Sequence, residues 1–487
     1  MKIRIFMLLT ASVILLASCQ EGVTADFDSI SSDSINQYIE FSSDIEDISS
    51  TSTSSAVVSQ PDDKSSSAVS DTSSEIIIPP ASSTTIDIPS TPADSSEEEE
   101  EPITITEPLD TLYNSLESYV CHPSHCCTTI PAAVSHYFEK NFNIYRYYYS
   151  KLSSSAKEVY DKIDQEIKKG KAFAEISFNG NEDAFNKYYQ DNIWPAYYTY
   201  VLDNSWAFFL PSAVSVSYNG SVIKIKFPFI YTDTEILDTF AKIHEFILQA
   251  QSNLSSSMSE FEKELSLYNF VCHSIIYTQE NPKDAYNLTG AVNGKGVCEA
   301  YSEMLKLLFD SVGLKSMAVV GSSKENNEGH KWNMVCIDGQ YAYVDATYGD
   351  TSTSNKGETK YILNADNSKD AVINYAYFNI DDISLLKINT LKKQENSYTF
   401  PSLPSCSAHI SYYDHYKINI HNKQEAEEYL KKVAYQIKIK GKRYFHIQSD
   451  ALTHDEILGI LQKKHVRLKK YTYTGAIERG SLVEITI

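Results

Sequence analysis

Apolar positions along the chain fall into three textures. Residues 5–16 form an almost unbroken apolar run, Ile5-Phe6-Met7-Leu8-Leu9-Thr10-Ala11-Ser12-Val13-Ile14-Leu15-Leu16, behind Lys2 and Arg4 and ahead of Ala17-Ser18-Cys19. The run is too short to span a membrane and ends in small residues, which predicts a secretory signal. Residues 21–105 carry Ser, Thr, Asp and Pro with scattered isoleucines and no sustained period. Such a segment cannot bury enough apolar surface to offset its ordering entropy, so a disordered tether is expected.

From about 106 onward, apolar residues recur at helical or strand spacing. The stretch 153–163 places Val159, Tyr160 and Ile163 on one helical face, 173–178 reads as a strand, and 214–229 alternates around Asn219-Gly220, a hairpin signal. Long helices are expected over 234–252 and 258–276, the second with Leu265, Tyr268, Cys272 and Ile276 in its stripe. The end of the chain reads as strand, helix 422–436, strand 442–448, helix 452–464 and strands near 466–474 and 482–487. Aromatic residues crowd 197–209, beside Pro195 and Pro211. Ordinary core is the expected use of these rings, with a ring-lined groove as the alternative. Residues 106–234 are expected to pack on the next domain and help shape its groove.

The stretch 293–309, NGKGVCEAYSEMLKLLF, puts two glycines and a cysteine ahead of a helix whose Tyr301, Leu305 and Leu308 keep core spacing. Cys298 is thereby predicted in the first helical turn. Free backbone N–H groups and the helix dipole there favour thiolate, the species a sulfur nucleophile requires. Further on, Asp338-Gly339 between strand formers predicts a two-residue hairpin with Ile337 opposite Gln340. That register sets His330 and Asp345 on one face as diagonal neighbours, close enough for the carboxylate to hold the imidazole. Cys298 would attack, His330 would take and return the proton, and Asp345 would fix the tautomer.

At these residues the sequence resembles the transglutaminase-like, papain-related superfamily, in particular its bacterial extracellular members. The matching pieces are Gly296-Val297-Cys298-Glu299-Ala300-Tyr301, His330-Lys331-Trp332-Asn333 and Asp345-Ala346-Thr347-Tyr348-Gly349-Asp350, flanked by His273-Ser274-Ile275-Ile276-Tyr277 and Tyr377-Phe378-Asn379-Ile380. The resemblance implies an α+β fold in which a catalytic cysteine at a helix N-terminus packs on an antiparallel sheet carrying His and Asp. It places Cys298, His330 and Asp345 on the family's nucleophile, base and orienting acid. Ala300 stands where a glycine is usual and Tyr348 where a tryptophan is common, neither change removing a reacting group. Asn293 and Tyr277 are candidates for the oxyanion donor. Trp332 is expected to wall the cleft, Asn333 and Asp350 to make supporting or capping hydrogen bonds, Tyr301 to be core and His273 structural.

Charge changes the picture little. Of the formal net charge of -22, residues 21–105 hold about -18, with 19 acidic residues against Lys64 alone. The acidity therefore describes the tether, and nucleic acid is excluded as an expected partner because no basic stripe stands out. The ending Leu16-Ala17-Ser18-Cys19 resembles a bacterial lipoprotein box, which implies a lipidated Cys19, export and anchoring to the cell envelope on its extracellular or periplasmic side. Removing Cys19 and Cys298 from the eight cysteines leaves six, an even number open to disulfide pairing in an oxidising compartment. The crowded Cys121-His122-Pro123-Ser124-His125-Cys126-Cys127 has no second cluster to complete a zinc site, and no metal or cofactor is implied.

The organisation expected is a signal peptide over 1–18, a lipidated cysteine and tether over 19–105, an accessory aromatic-rich region over 106–234, a catalytic domain over 235–400 and a small α/β domain over 401–487. The expected chemistry is acyl transfer from an amide through a thioester, more as a peptidase or amidase than as a cross-linker. A peptide, surface protein or peptidoglycan peptide would be the substrate, and a noncatalytic wall-binding or protein-binding module is the alternative.

Overall fold

A computed structural model describes residues 129–486, apart from 279, 281–282, 353–359, 364–368, 396–397, 408, 468–469 and 475–476. The signal segment, Cys19, the tether and the cysteine cluster at 121–127 lie outside the described residues.

The centre of the molecule is a four-stranded antiparallel sheet in the order Asn389–Leu391, Lys315–Ser323, Gly329–Ile337, Gln340–Val344. Its register follows from Asp338-Gly339, whose φ angles of 49° and 80° are those a two-residue turn demands, and Ile337 lies opposite Gln340. The Cys298–Ser311 helix packs against the two middle strands and against the Glu260–Ser274 helix. That second helix and the Asp233–Gln251 helix begin in capping boxes, Ser259 with Glu262 and Thr232 with Glu235. Each box pairs two N–H groups that the helix itself leaves open, which is why both helices start within two residues of the sequence expectation.

Residues 130–231 add the helices Ile130–Asn141, Tyr147–Lys151, Ser154–Ile167 and Trp194–Asp203 and a sheet in the order Phe173–Ser177, Val222–Lys226, Ser215–Tyr218. Their apolar faces merge with the central sheet in one continuous core running from Ile130 through Leu308 and Trp332 to Cys406. Polar stitches reinforce the junction: Tyr148 Oη donates to Ala318 O at 2.7 Å, and Tyr145 N to Asp310 Oδ1 at 3.2 Å. Tyr197, Tyr198, Tyr200, Trp206, Phe208 and Phe209 are buried in this core, so these rings do not line an open groove.

The last unit has its own core between Ile420 and Ile485. The helices Lys423–Lys440 and His454–Lys463 cover a sheet in the order Asn419–Ile420, Tyr444–Ser449, Ser481–Thr486, Lys470–Thr474, whose first pair is parallel. The first helix runs past the expected 436 and stops at Gly441, which takes the left-handed φ of 66°.

Cys272, Cys298, Cys336 and Cys406 are free thiols, which corrects the pairing expectation for Cys272, Cys336 and Cys406. Two of them are packed as small hydrophobes with carbonyl partners, Cys272 Sγ donating to Ala346 O at 3.4 Å and Cys406 Sγ to Pro404 O at 3.9 Å.

Candidate active site

The approach to Cys298 is set by Gly296. It pairs with Tyr277 in a short parallel bridge, and a Cβ at this position would stand 2.4 Å from Ala300 Cβ. Only glycine lets the chain pass that close before turning into the helix. Val297 is the extended N-cap residue, its side chain satisfies no helical N–H, and Cys298 is the first helical residue. Cys298 thus lies in the first turn, the end of the helix where backbone N–H groups are left open and the dipole is positive. Cys298 is 1% exposed, and its Sγ donates to Glu299 Oε2 at 3.1 Å.

His330 and Asp345 come together from the hairpin. Strand pairing ends at Asn333 opposite Val344, and Asp345 then caps the turn Ala346–Gly349, its Oδ1 accepting from Tyr348 N at 3.1 Å. Its Oδ2 lies 2.6 Å from His330 Nε2. A carboxylate accepting from Nε2–H leaves Nδ1 as the basic nitrogen. Asp345 N donates to Tyr377 O at 3.0 Å, so the segment after Asn374 holds the carboxylate's backbone from behind.

An aromatic ladder connects these groups. The rings of Trp332 and His330 stack at 5.5 Å, His330 and Tyr348 lie 4.5 Å apart, and Tyr348 and Tyr377 5.1 Å apart. Burial raises the Tyr348 hydroxyl above its ordinary pKa against a hydrogen bond to Ser323, and the nearness of Asp345 and of the Cys298 sulfur acts in the same direction as burial. Tyr348 therefore shares its surroundings with both the His330–Asp345 pair and Cys298.

Other expected site residues take varied places. Trp332 is 1% exposed, packed where a Cβ on Gly321 would stand 2.6 Å from its ring. It backs His330 and does not wall an open cleft, because both faces of its strand are covered. Asn293 is exposed behind the five-residue helix Leu288–Val292, with its Oδ1 accepting from Lys242 Nζ at 2.8 Å, and it is not gathered with the buried trio. Tyr277 is half-buried and its N–H donates to Ser352 Oγ at 2.9 Å. Asn333 Nδ2 donates to Ser302 O at 2.9 Å, tying the His330 strand to the helix one turn past Cys298. Asp350 accepts from Tyr301 Oη at 2.6 Å, from Ser352 N at 2.9 Å and from Ser352 Oγ. Tyr301 is buried, and His273 is exposed on its helix.

The sequence reading did not single out a buried charged cluster beside the sulfur. Glu299 and Glu303 lie one turn apart on the Cys298 helix, and Lys331, the neighbour of His330, pairs with Glu303 at 2.9 Å. Burial raises both carboxyls above their ordinary range, with Lys331 opposing. Glutamates at i and i+4 opposite a strand lysine were the available signal.

Residues 249–346, which include Cys298, His330 and Asp345, match the model of the transglutaminase-like superfamily. The kyphoscoliosis peptidases of Mus musculus and Homo sapiens are each 27% identical over 120 residues, covering 21% of this chain and 18% of each relative. The chain thus spans about a fifth of the length of those relatives. A transglutaminase crystal structure covers 36% of this chain and 50% of its own, with 14% identity and a TM-score of 0.21. A candidate cysteine protease from Cytophaga hutchinsonii covers 28% and 61%, with 13% identity and a TM-score of 0.19. At those scores neither structure carries an argument. The family-model match gives residues 249–346 a transglutaminase-like fold, and the helix-on-antiparallel-sheet arrangement is α+β.

Proposed function

Starting from a transglutaminase-like domain at 249–346, we propose that the protein is a cysteine-nucleophile acyl transferase acting on amide bonds, and that it hydrolyses them. The observation that carries the reading is the 2.6 Å contact of His330 Nε2 with Asp345 Oδ2 next to a helix that begins at Cys298. Asp345 fixes the tautomer, and His330 Nδ1 takes the thiol proton. The thiolate attacks the amide carbonyl, the C–N bond breaks, and His330 returns the proton to the leaving amine. Water then releases the acyl group from the thioester. The oxyanion would be received by the helix N–H groups at Cys298.

Hydrolysis is favoured over cross-linking because water is present in large excess over any amine, and the matched relatives carry the name peptidase. Export and lipidation at Cys19 would restrict the substrate to peptides, surface proteins or peptidoglycan peptides within reach of the tether. The test incubates the full chain with mixed peptides, with and without a primary amine, and reads product masses. Cleaved peptides in both conditions support the peptidase reading. Amine-adducted peptides without cleavage would make the protein a cross-linker, and unchanged peptides in both would leave a noncatalytic module.

A further inference from the structure

Glu299 touches the sulfur yet has no part in the cycle above. Glu299 is 2% exposed, and Cys298 Sγ donates to its Oε2 at 3.1 Å. The other charged groups around it are Glu303 on the same helix and Lys331 on the Gly329–Ile337 strand. Lys331 is only 4% exposed and is directly engaged by Glu303 at 2.9 Å. Farther along the helix Lys306 and Asp310 pair with each other at 2.8 Å. Tyr348, whose ring lies 4.5 Å from that of His330, is close enough to Cys298 for the two to interact electrostatically. Two carboxylates thus share one lysine, and Glu299 is hydrogen-bonded by the thiol and by its own backbone N–H.

We propose that Glu299 is a second acceptor for the Cys298 proton, competing with His330, so that the empty site keeps its nucleophile as a neutral thiol. The proposal rests on the acyl-transfer reading only in naming His330 as the other acceptor. In the resting arrangement S–H points at Glu299 Oε2, and the proton stays on sulfur because a thiolate and a carboxylate in contact inside a dry site repel each other. Activation turns the thiol toward His330. The S–H bond breaks, an N–H bond forms at Nδ1, the electron pair remains on sulfur, and Asp345 stabilises the imidazolium. Burial raises the Glu299 carboxyl, and the hydrogen bond from the Cys298 thiol opposes that rise by favouring the charged carboxylate.

The test is the ultraviolet absorbance of the thiolate in the full chain, taken as the difference from Cys298→Ala and titrated from about pH 4 to about pH 10. Glu299→Gln keeps the shape and removes the charge. Its midpoint is expected to fall by about one pH unit or more, a roughly tenfold gain in thiolate at fixed pH below the midpoint. Asp310→Asn removes a buried carboxylate of the same helix that does not touch the sulfur, and its midpoint is expected to match the wild type. An unchanged or raised midpoint in Glu299→Gln, or an equal fall in Asp310→Asn, overturns the proposal. A measurement on the wild type alone stands beside it: an S–H infrared band, identified by its loss in Cys298→Ala, is expected at neutral pH, and its absence there also overturns the proposal. Neither experiment involves turnover, so failure here leaves the acyl-transfer reading standing, and failure of peptide turnover leaves the proton assignment to these titrations.

Discussion

Replacing Glu264 with glutamine should stabilise the fold at neutral and alkaline pH and flatten one component of its pH dependence. Glu264 is fully buried in the Glu260–Ser274 helix; its Oε2 accepts from Asn379 Nδ2 at 2.7 Å, while Oε1 has no partner among the described residues. Burial pushes its carboxyl from 4.5 up to about 8, against the opposing hydrogen bond from Asn379. Between those two values the folded chain keeps a proton that the unfolded chain has released. The stability contributed is therefore fully present below pH 4.5, declines as pH rises and levels off above about pH 8. At about 1.4 kcal/mol per pH unit, the interval amounts to roughly 5 kcal/mol. Burial also raises Asp203 to about 7 and Asp310 to about 6, tilting the wild type the same way, so the difference between variant and wild type isolates Glu264. The assay is urea unfolding by tryptophan fluorescence at steps from about pH 5 to about pH 9, with the advantage of Glu264→Gln expected to grow to several kcal/mol by about pH 8. Parallel curves for the two proteins would refute the reasoning.

Three further outcomes are expected. Asp345→Asn keeps an acceptor for Tyr348 N but no longer accepts reliably from His330 Nε2–H, so turnover should fall by about a thousandfold or more with little change in melting. Gly296→Ala brings a methyl group 2.4 Å from Ala300 Cβ and should cost about 1–3 kcal/mol, most of it recovered in the double variant Gly296→Ala/Ala300→Gly when both are compared by urea unfolding. Asn293→Ala should leave stability within about 0.5 kcal/mol and peptide turnover unchanged, as its exposed side chain contacts Lys242; a large loss of turnover would restore it as an oxyanion donor.

Local rules made the hairpin and the Cys298 helix readable. Asp338-Gly339 dictates its own turn, the turn dictates register, and register carries His330 to the side of Asp345. Glycine before a cysteine and a helical stripe after it suffice to place Cys298 at the first turn. What escaped the sequence depends on covering faces from far along the chain. Trp332 reads the same in a strand with one open face as in one buried on both, and only the packing of Gly321 and its neighbours shows which. Asn293 follows a helix of five residues, too short for a period to mark it, so its exposure was hidden. Glu299 sits next to the nucleophile in sequence, yet acidic residues in a first helical turn are ordinary. Its meaning comes from burial beside Glu303 and Lys331, which lie on two different elements. The merging of residues 130–231 into the central core is likewise a property of tertiary packing, since their helical and strand periods would serve a separate domain equally well.

The central claim is that Cys298 carries the acyl group. Acid-quenched intact-mass measurement during turnover of a cleaved peptide, followed by mapping of the adduct, tests it most directly. The account predicts a mass increase equal to the acyl portion of the peptide, located on Cys298, released by hydroxylamine and absent in Cys298→Ala, which should be inactive. Cleavage that continues in Cys298→Ala, or an adduct that maps to another residue, would contradict it.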